Sequence, residues 1–222
     1  MSALQGRTVL VVGAGSLGEP AALTLASAGV GRIVLVDAGD VETSDPGEQR
    51  GAAAARHLTR LFPELDVEVF PRGFDAGSAG ELVRSADVVV DASSHFPTMF
   101  LANDAAVAAG KALAHGGLLN FTVQLLTVLP GVTGCLRCLF EGPPPPGPEA
   151  GALGPLAGFA GSFLGAEAVR LLEGRPGAYA GRLLVHEARS GRSRSVRVKQ
   201  RPGCASCSAA AGSCAPLAGG AP

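Results

Sequence analysis

The residues with the clearest capacity for chemistry are three glycines near the start of the chain. Gly13, Gly15 and Gly18 form the pattern G-x-G-x-x-G within the stretch VVGAGSLGEP. Such a loop lets the backbone approach a phosphate, and the N-terminus of the following helix presents free N–H groups to it. The pattern predicts a nucleotide site that uses Gly13, Ala14, Gly15, Ser16, Leu17 and Gly18.

An acidic residue stands at the position that is expected to contact the ribose of a nucleotide. Asp37 ends the second apolar run, RIVLVD, and an acid at that place can accept hydrogen bonds from ribose hydroxyls. The pattern does not distinguish NAD from ATP as the ligand. A glycine-rich turn that binds nothing is the alternative interpretation.

Four of the five cysteines form two C-x-x-C pairs. In a reducing compartment such pairs are typical of metal ligands rather than disulfides. Zn²⁺ takes four ligands at tetrahedral corners, and a closed four-thiolate site is structural because no coordination position stays open. Redox-active pairs or free thiols are the alternatives, although a redox pair is expected to follow a strand and open a helix. The predicted zinc ligands are Cys135, Cys138, Cys204 and Cys207, and Cys214 is left over.

Short apolar runs alternate with helical patterns in the first half of the chain. They predict strands at 8–12, 32–37, 66–70, 87–93 and 111–115. This alternation predicts an α/β fold with a Rossmann-like doubly wound sheet, mainly parallel in this half. The second half contains long extended runs, an almost wholly apolar helix and a hairpin joined at RSGR. It predicts an antiparallel extension that the four-cysteine zinc clip holds to the C-terminal region.

The whole chain is predicted to form one domain over residues 1–208. Residues 1–115 are the Rossmann-like half, 116–208 the antiparallel and zinc-clip half, and 209–222 a flexible tail. A net charge of −1 gives no reason to expect nucleic acid or an anionic membrane as partner. Without an apolar run of about 18 residues, no transmembrane helix is expected, and a cytoplasmic location is the default expectation.

The glycine loop, Asp37 and the cysteine pairs occur in an order that resembles the superfamily of ubiquitin-activating enzymes, particularly its bacterial ThiF/MoeB/HesA-type adenylyltransferases. The most specific matching stretches are AGVGRIVLVD, the G-x-L-G-P helix with AEAVRLL, and the cysteine spacing. The resemblance implies ATP as ligand, with Mg²⁺ at its phosphates. It also implies a homodimer and, as partner, a ubiquitin-like or sulfur-carrier protein ending in Gly-Gly. The carboxylate of that carrier attacks the α-phosphate, pyrophosphate leaves, and an acyl-adenylate forms.

Several positions depart from the family pattern. The second acid that usually follows the ribose Asp is Gly39 here, and Arg50 stands where the family keeps a phosphate-contacting Lys. The motif D-C-T-D-N reads DASSH, so Asp91 matches its first position and Ser94 replaces the Mg²⁺-binding acid. Arg50 and Asp91 are therefore the predicted catalytic residues, and Asp91 and Ser94 join the predicted nucleotide-binding set.

Three functions remain open at this point. The first is an adenylyltransferase that activates a carrier, and the second is a degenerate member that binds nucleotide or carrier as a scaffold or partner subunit. The third is an NAD-dependent oxidoreductase. His95 and His115 are interpreted as ordinary structural histidines. The basic run from Arg189 to Arg201 is interpreted as a solvated hairpin face, with a patch for an acidic carrier as the alternative.

Overall fold

The chain folds around one mixed sheet of eight strands in the order β3-β2-β1-β4-β5-β6-β7-β8. The computed structural model describes residues 3–39, 49–70, 72–142 and 154–208. The strands are Thr8–Val12 (β1), Arg32–Val36 (β2), Asp66–Phe70 (β3), Val88–Asp91 (β4), Ala112–Leu119 (β5), Thr122–Val128 (β6), Arg182–Glu187 (β7) and Arg192–Arg197 (β8). The helices are Gly18–Ser27 (α1), Arg50–Leu61 (α2), Ala79–Ser85 (α3), Phe96–Ala108 (α4), Leu136–Leu139 (α5) and Gly154–Leu172 (α6).

The first five strands form the predicted parallel half. β1 lies between β2 and β4, and every pairing from β3 through β5 is parallel. Strands β2 and β3 therefore lie on one side of β1, and β4 and β5 lie on the other. The strand order reverses between β1 and β4, which makes this boundary the topological switch point of the sheet. Ligands of such sheets bind in the crevice at the carboxyl ends of the strands at this point.

Helices cover both faces of the sheet. One apolar cluster packs α1, α2 and α6 on the first face, and a second packs α3, α4 and the cysteine-bearing segments on the other. The apolar runs at residues 9–12 of β1 and 88–90 of β4 suit strands that are buried on both faces. The α/β prediction with a doubly wound sheet is confirmed.

The antiparallel extension is also confirmed, but two of the predicted strand ends were wrong by more than one residue. β5 was predicted to end at residue 115, yet it continues to Leu119 because its second half pairs with β6. β4 was predicted to reach residue 93, yet it ends at Asp91. The Asp91 carboxylate there accepts a hydrogen bond from the Ser93 backbone N–H, which turns the chain out of the sheet.

Helix α6 lies against α1 through small residues. A Cβ atom added to Gly161 would stand 2.3 Å from the Leu17 carbonyl oxygen, and one added to Gly165 would stand 2.6 Å from the Thr24 Cβ. The glycines let the two helices approach closely, which explains the apolar, glycine-rich sequence of α6. Because Leu17 belongs to the glycine loop, this packing also fixes the position of that loop.

One carboxylate interrupts the apolar pattern of α6. Glu167 is buried and accepts hydrogen bonds from the Thr127 hydroxyl at 2.7 Å and the Ala178 backbone N–H at 2.9 Å. A buried carboxylate needs such donors to offset its lost hydration. Glu167 therefore fastens α6 to β6 and to the segment before β7.

None of the helices in the described part of the chain combines the length and hydropathy that crossing a bilayer requires. All six residues of β8 are exposed at the edge of the sheet, as expected for a solvated basic hairpin. The predicted flexible tail 209–222, with Cys214, and the proline-rich segment 143–153 lie outside the described residues.

Candidate active site and metal centre

The glycine loop follows β1 at the switch point. Gly13 has a φ of +93°, and a Cβ atom there would stand 2.8 Å from the Ala92 carbonyl oxygen. A Cβ atom on Gly18 would stand 1.8 Å from the Gly13 carbonyl oxygen, so α1 can begin at this place only with glycine. A Cβ atom on Gly15 would meet no atom within 4 Å, which leaves the backbone of the loop open to a ligand.

Asp37 binds the glycine loop directly. Its carboxylate is buried and accepts hydrogen bonds from the backbone N–H groups of Ala14 at 2.8 Å and Gly39 at 2.7 Å. The acid at the end of β2 therefore holds the loop after β1 in place.

Arg50 is the cation that pairs with Asp37. Its Nε and Nη2 atoms lie 3.3 and 3.2 Å from the two carboxylate oxygens. Its side chain is 35% exposed and that of Asp37 is 7% exposed, so the guanidinium closes over a buried carboxylate. The structure thus brings together two residues that the sequence analysis assigned separately to ribose and to phosphate.

The ion pair between Arg50 and Asp37 explains why residue 39 is a glycine. A Cβ atom on Gly39 would stand 1.9 Å from Nη2 of Arg50. The backbone N–H of Arg50 also donates to the Gly39 carbonyl oxygen at 2.8 Å. Any side chain at residue 39 would displace the guanidinium from Asp37.

Asp91 lies at the end of β4, beside the glycine loop, and has no solvent exposure. One of its carboxylate oxygens accepts from the Ser93 hydroxyl at 2.6 Å, and the other lies 2.7 Å from Nδ1 of His115 on β5. The next residue, Ala92, donates its backbone N–H to the Val12 carbonyl oxygen at 2.9 Å. The loop after β4 is therefore held against the end of β1.

Ser94 and His95 stand on the surface of the same loop. Both are exposed, and Nδ1 of His95 lies 3.1 Å from the Thr98 hydroxyl at the start of α4. Among the described residues, the switch point thus gathers the predicted glycine loop, Asp37, Arg50, Asp91 and Ser94.

The four predicted zinc ligands meet where the segments after β6 and β8 lie side by side. The sulfur separations are 3.9 Å for Cys135–Cys138, 3.7 Å for Cys135–Cys204 and 3.3 Å for Cys138–Cys207. All four sulfurs lie within 4.8 Å of one another. Tetrahedral Zn–S bonds of about 2.3 Å require sulfur separations of about 3.8 Å, so the cluster fits one such ion.

The surroundings of the sulfurs also suit a metal. Burial raises the pKa of Cys135 and of Cys207, so neither thiol ionises readily without a cation. Burial also opposes ionisation of Cys204, but hydrogen bonds from the backbone N–H groups of Cys207 and Ser206 outweigh it and lower the pKa of Cys204 to about 7. A bound cation would hold all four sulfurs as thiolates.

Helix α4 connects this cluster to the nucleotide edge. Asn103 is fully buried, accepts from the Leu136 backbone N–H at 2.9 Å and donates to the Ser206 hydroxyl at 3.3 Å. It thus contacts both cysteine loops. Asp104 beside it forms a bidentate ion pair with Arg137, whose guanidinium lies 5.0 Å from the Phe100 ring centroid.

A protein-family model matches almost the whole chain. The model describes the ThiF family and covers residues 1–207. The chain belongs to the ThiF family. It is 40% identical over 225 residues to the sulfur carrier protein adenylyltransferase of Thermus thermophilus, with 92% of this chain and 83% of that protein covered.

Two further relatives are similar to the chain over at least 90% of its length. The chain is 38% identical to the SAMP-activating enzyme E1 of Haloferax volcanii, covering 90% of this chain and 79% of that protein. It is 36% identical to the adenylyltransferase and sulfurtransferase MOCS3 of Mus musculus, but spans only 48% of that longer protein. With this likeness over most of its length, the ThiF-family chain is an adenylyltransferase.

Solved structures match the fold. The E. coli MccB structure with MccA-N7isoASN superposes with a TM-score of 0.81 at 19% identity, covering 92% of this chain and 67% of that one. The structure of E. coli MccB with ATP gives a TM-score of 0.78 at 19% identity. At this identity the likeness establishes the Rossmann-like ThiF fold.

Proposed function

We propose that this ThiF-family chain uses ATP to activate the C-terminal Gly-Gly carboxylate of a ubiquitin-like or sulfur-carrier protein. A carboxylate oxygen of the carrier attacks the α-phosphorus, and the bond from that phosphorus to the bridging oxygen breaks. Pyrophosphate leaves with the bond electrons, and the carrier becomes an acyl-adenylate. The observation that carries the proposal is the glycine loop held by Asp37 at the switch point, in a chain 40% identical to a sulfur carrier protein adenylyltransferase.

In this proposal the glycine loop binds phosphate through its backbone N–H groups and the start of α1. Asp37 has both oxygens occupied, so ribose binding requires a hydroxyl to share or replace the contact with Arg50. Arg50 has the exposure and the side-chain length to turn toward phosphate when this happens. Charge neutralisation by such a cation supports attack by one anion on another.

The residues available to bind Mg²⁺ differ from those of the family pattern. Hard oxygen ligands suit this ion, but Asp91 is enclosed and the position of the metal-binding acid is Ser94. We infer that Mg²⁺ is held mainly by the ATP phosphates and water. Zn²⁺ would be held by Cys135, Cys138, Cys204 and Cys207 as a structural ion, with no part in the reaction.

The proposal also covers the domain organisation, oligomeric state and location of the protein. Residues 1–208 act as one domain, because a single sheet runs through the halves 1–115 and 116–208. A homodimer and a cytoplasmic location follow from analogy with the family. Nucleic acid is not expected as a partner, since the net charge is −1.

A catalytically degenerate member remains the second candidate, and the altered DASSH motif favours it. The two are separated by pyrophosphate exchange, the incorporation of labelled pyrophosphate into ATP. An active enzyme exchanges label only when a Gly-Gly carrier is present. ATP binding without exchange, for any carrier tried, would support the scaffold, and tight NADH binding without ATP binding would support an oxidoreductase.

A further inference from the structure

The Asp91–His115 pair is a buried polar contact at the carboxyl edge of the sheet. The two residues are direct neighbours in the parallel pairing of β4 with β5. Asp91 has no exposed surface and His115 retains 4%. Asp91 therefore cannot itself reach a ligand in the crevice without a rearrangement, whereas a small part of His115 is accessible.

The hydrogen bonds fix the orientation of the imidazole. A carboxylate only accepts, so Nδ1 carries the hydrogen that bonds to Asp91 at 2.7 Å. Nε2 of His115 makes no hydrogen bond with the described residues. In the described part of the chain, Nε of Arg170 is the single fully enclosed side-chain nitrogen or oxygen without a partner. Nε2 of His115 therefore retains contact with solvent.

Strand β5 extends past His115 through two glycines. β4 ends at Asp91, but β5 continues through Gly116 and Gly117 to Leu119. A Cβ atom on Gly117 would stand 3.9 Å from Nε2, so Gly117 places no side chain against this nitrogen. Because adjacent strands lie about 4.8 Å apart, His115 is about 10 Å across the sheet from the end of β1, where the glycine loop begins.

We propose that His115 contacts a phosphate oxygen of the nucleotide through Nε2, and that Asp91 is its positioning residue. This inference rests on the proposed function. With Nδ1 bonded to Asp91, the imidazole can also donate to a phosphate oxygen from Nε2 when that nitrogen carries a hydrogen. Such charge-assisted hydrogen bonds are among the stronger ones. A Mg²⁺ ligand is a poorer role for this nitrogen, because Mg²⁺ prefers oxygen.

The test is the variant His115→Asn. The Asn amide can take the place of Nδ1 and keep the bond to Asp91, but it has no group at the position of Nε2. Calorimetry with Mg-ATP and with adenosine gives the two dissociation constants. We expect the constant for Mg-ATP to rise roughly tenfold. The constant for adenosine, which lacks phosphate, should stay within about twofold.

The matched control is His186→Asn on β7. His186 also uses Nδ1 toward a polar partner, the Ser193 hydroxyl at 2.9 Å, but lies near the far edge of the sheet. It should bind both ligands as the parent protein does. If His115→Asn leaves both constants unchanged, or raises both equally, the phosphate contact is refuted.

Parallel exchange assays on the parent protein separate this inference from the proposed function. Loss of Mg-ATP affinity in His115→Asn, in a parent that binds ATP but never exchanges pyrophosphate, would uphold the contact and refute the reaction. Normal Mg-ATP affinity in His115→Asn, in a parent that does exchange pyrophosphate, would refute the contact and uphold the reaction. A parent that binds no Mg-ATP would refute both.

Discussion

At the scale of single residues, two glycines of the G-x-G-x-x-G motif have different structural roles. A Cβ atom on Gly18 would stand 1.8 Å from the Gly13 carbonyl oxygen, so only glycine fits at residue 18. A Cβ atom on Gly15 would meet no atom within 4 Å. Gly18 therefore serves packing, and Gly15 leaves room for a ligand. The shared motif does not reveal this difference, because it depends on which atoms lie opposite each glycine.

This difference predicts opposite behaviour for two alanine variants. Gly18→Ala should lower the free energy of unfolding by about 1–3 kcal/mol, because the backbone must move to admit the methyl group. Gly15→Ala should change it by less than about 0.5 kcal/mol and instead weaken Mg-ATP binding. Urea unfolding and calorimetry measure the two effects. Equal destabilisation by both variants would contradict the assignment.

The sequence predicted most residues at the switch point but not their contacts. Asp37 and Arg50 could be identified by position, whereas their pairing depends on Gly39 leaving space for the guanidinium. His115 was interpreted as structural because a lone histidine in a strand carries no signal. Its proximity to Asp91 follows only from the register of β4 and β5, which the sequence does not specify.

At the scale of secondary structure elements, α4 connects the two functional regions. Its first turn follows the loop of Ser94 and His95, and its middle carries Asn103, which bonds both cysteine loops. The periodic runs predicted the helix and the strands. They could not predict α5, which spans only Leu136–Leu139 and is shaped by the cysteine turn. The length of β5 was also missed, since it depends on pairing with β6.

Asn103→Ala is the variant that tests this connection. Removing the amide leaves the buried Leu136 N–H without its acceptor, which costs about 1–3 kcal/mol. We expect that loss in unfolding free energy and faster release of zinc to a chelator. Ser206→Ala removes only the longer contact at 3.3 Å and should behave like the parent protein. Similar zinc release rates in all three proteins would argue against the connection.

At the scale of the whole molecule, the cysteine cluster closes the fold. It joins the segment after β6 to the segment after β8, far apart in the chain but adjacent in space. Two C-x-x-C pairs in one sequence predict this closure, because four thiolates at such spacing are typical of a shared metal ion. The position of the cluster relative to the nucleotide edge required the structure.

Metal analysis should find about one zinc per chain, and removing it should lower the melting temperature. Because burial raises the pKa of Cys135 and Cys207, protons compete with the metal for these sulfurs. The apparent zinc affinity should therefore increase as the pH rises and fall as the pH is lowered. Competition with a chelator across pH measures this trend. A folded, metal-free protein, or an affinity independent of pH, would refute the site.

We propose that this ThiF-family protein adenylates a carboxylate at the switch point, and pyrophosphate exchange is the direct test of that reaction. The assay needs purified protein, Mg-ATP, labelled pyrophosphate and candidate sulfur carriers that end in Gly-Gly. Each carrier is compared with the same carrier amidated at its C-terminus, which cannot attack phosphorus. We expect exchange with at least one free-acid carrier and only background exchange with its amide. Background exchange with every free-acid carrier, in a protein that binds Mg-ATP, would contradict it.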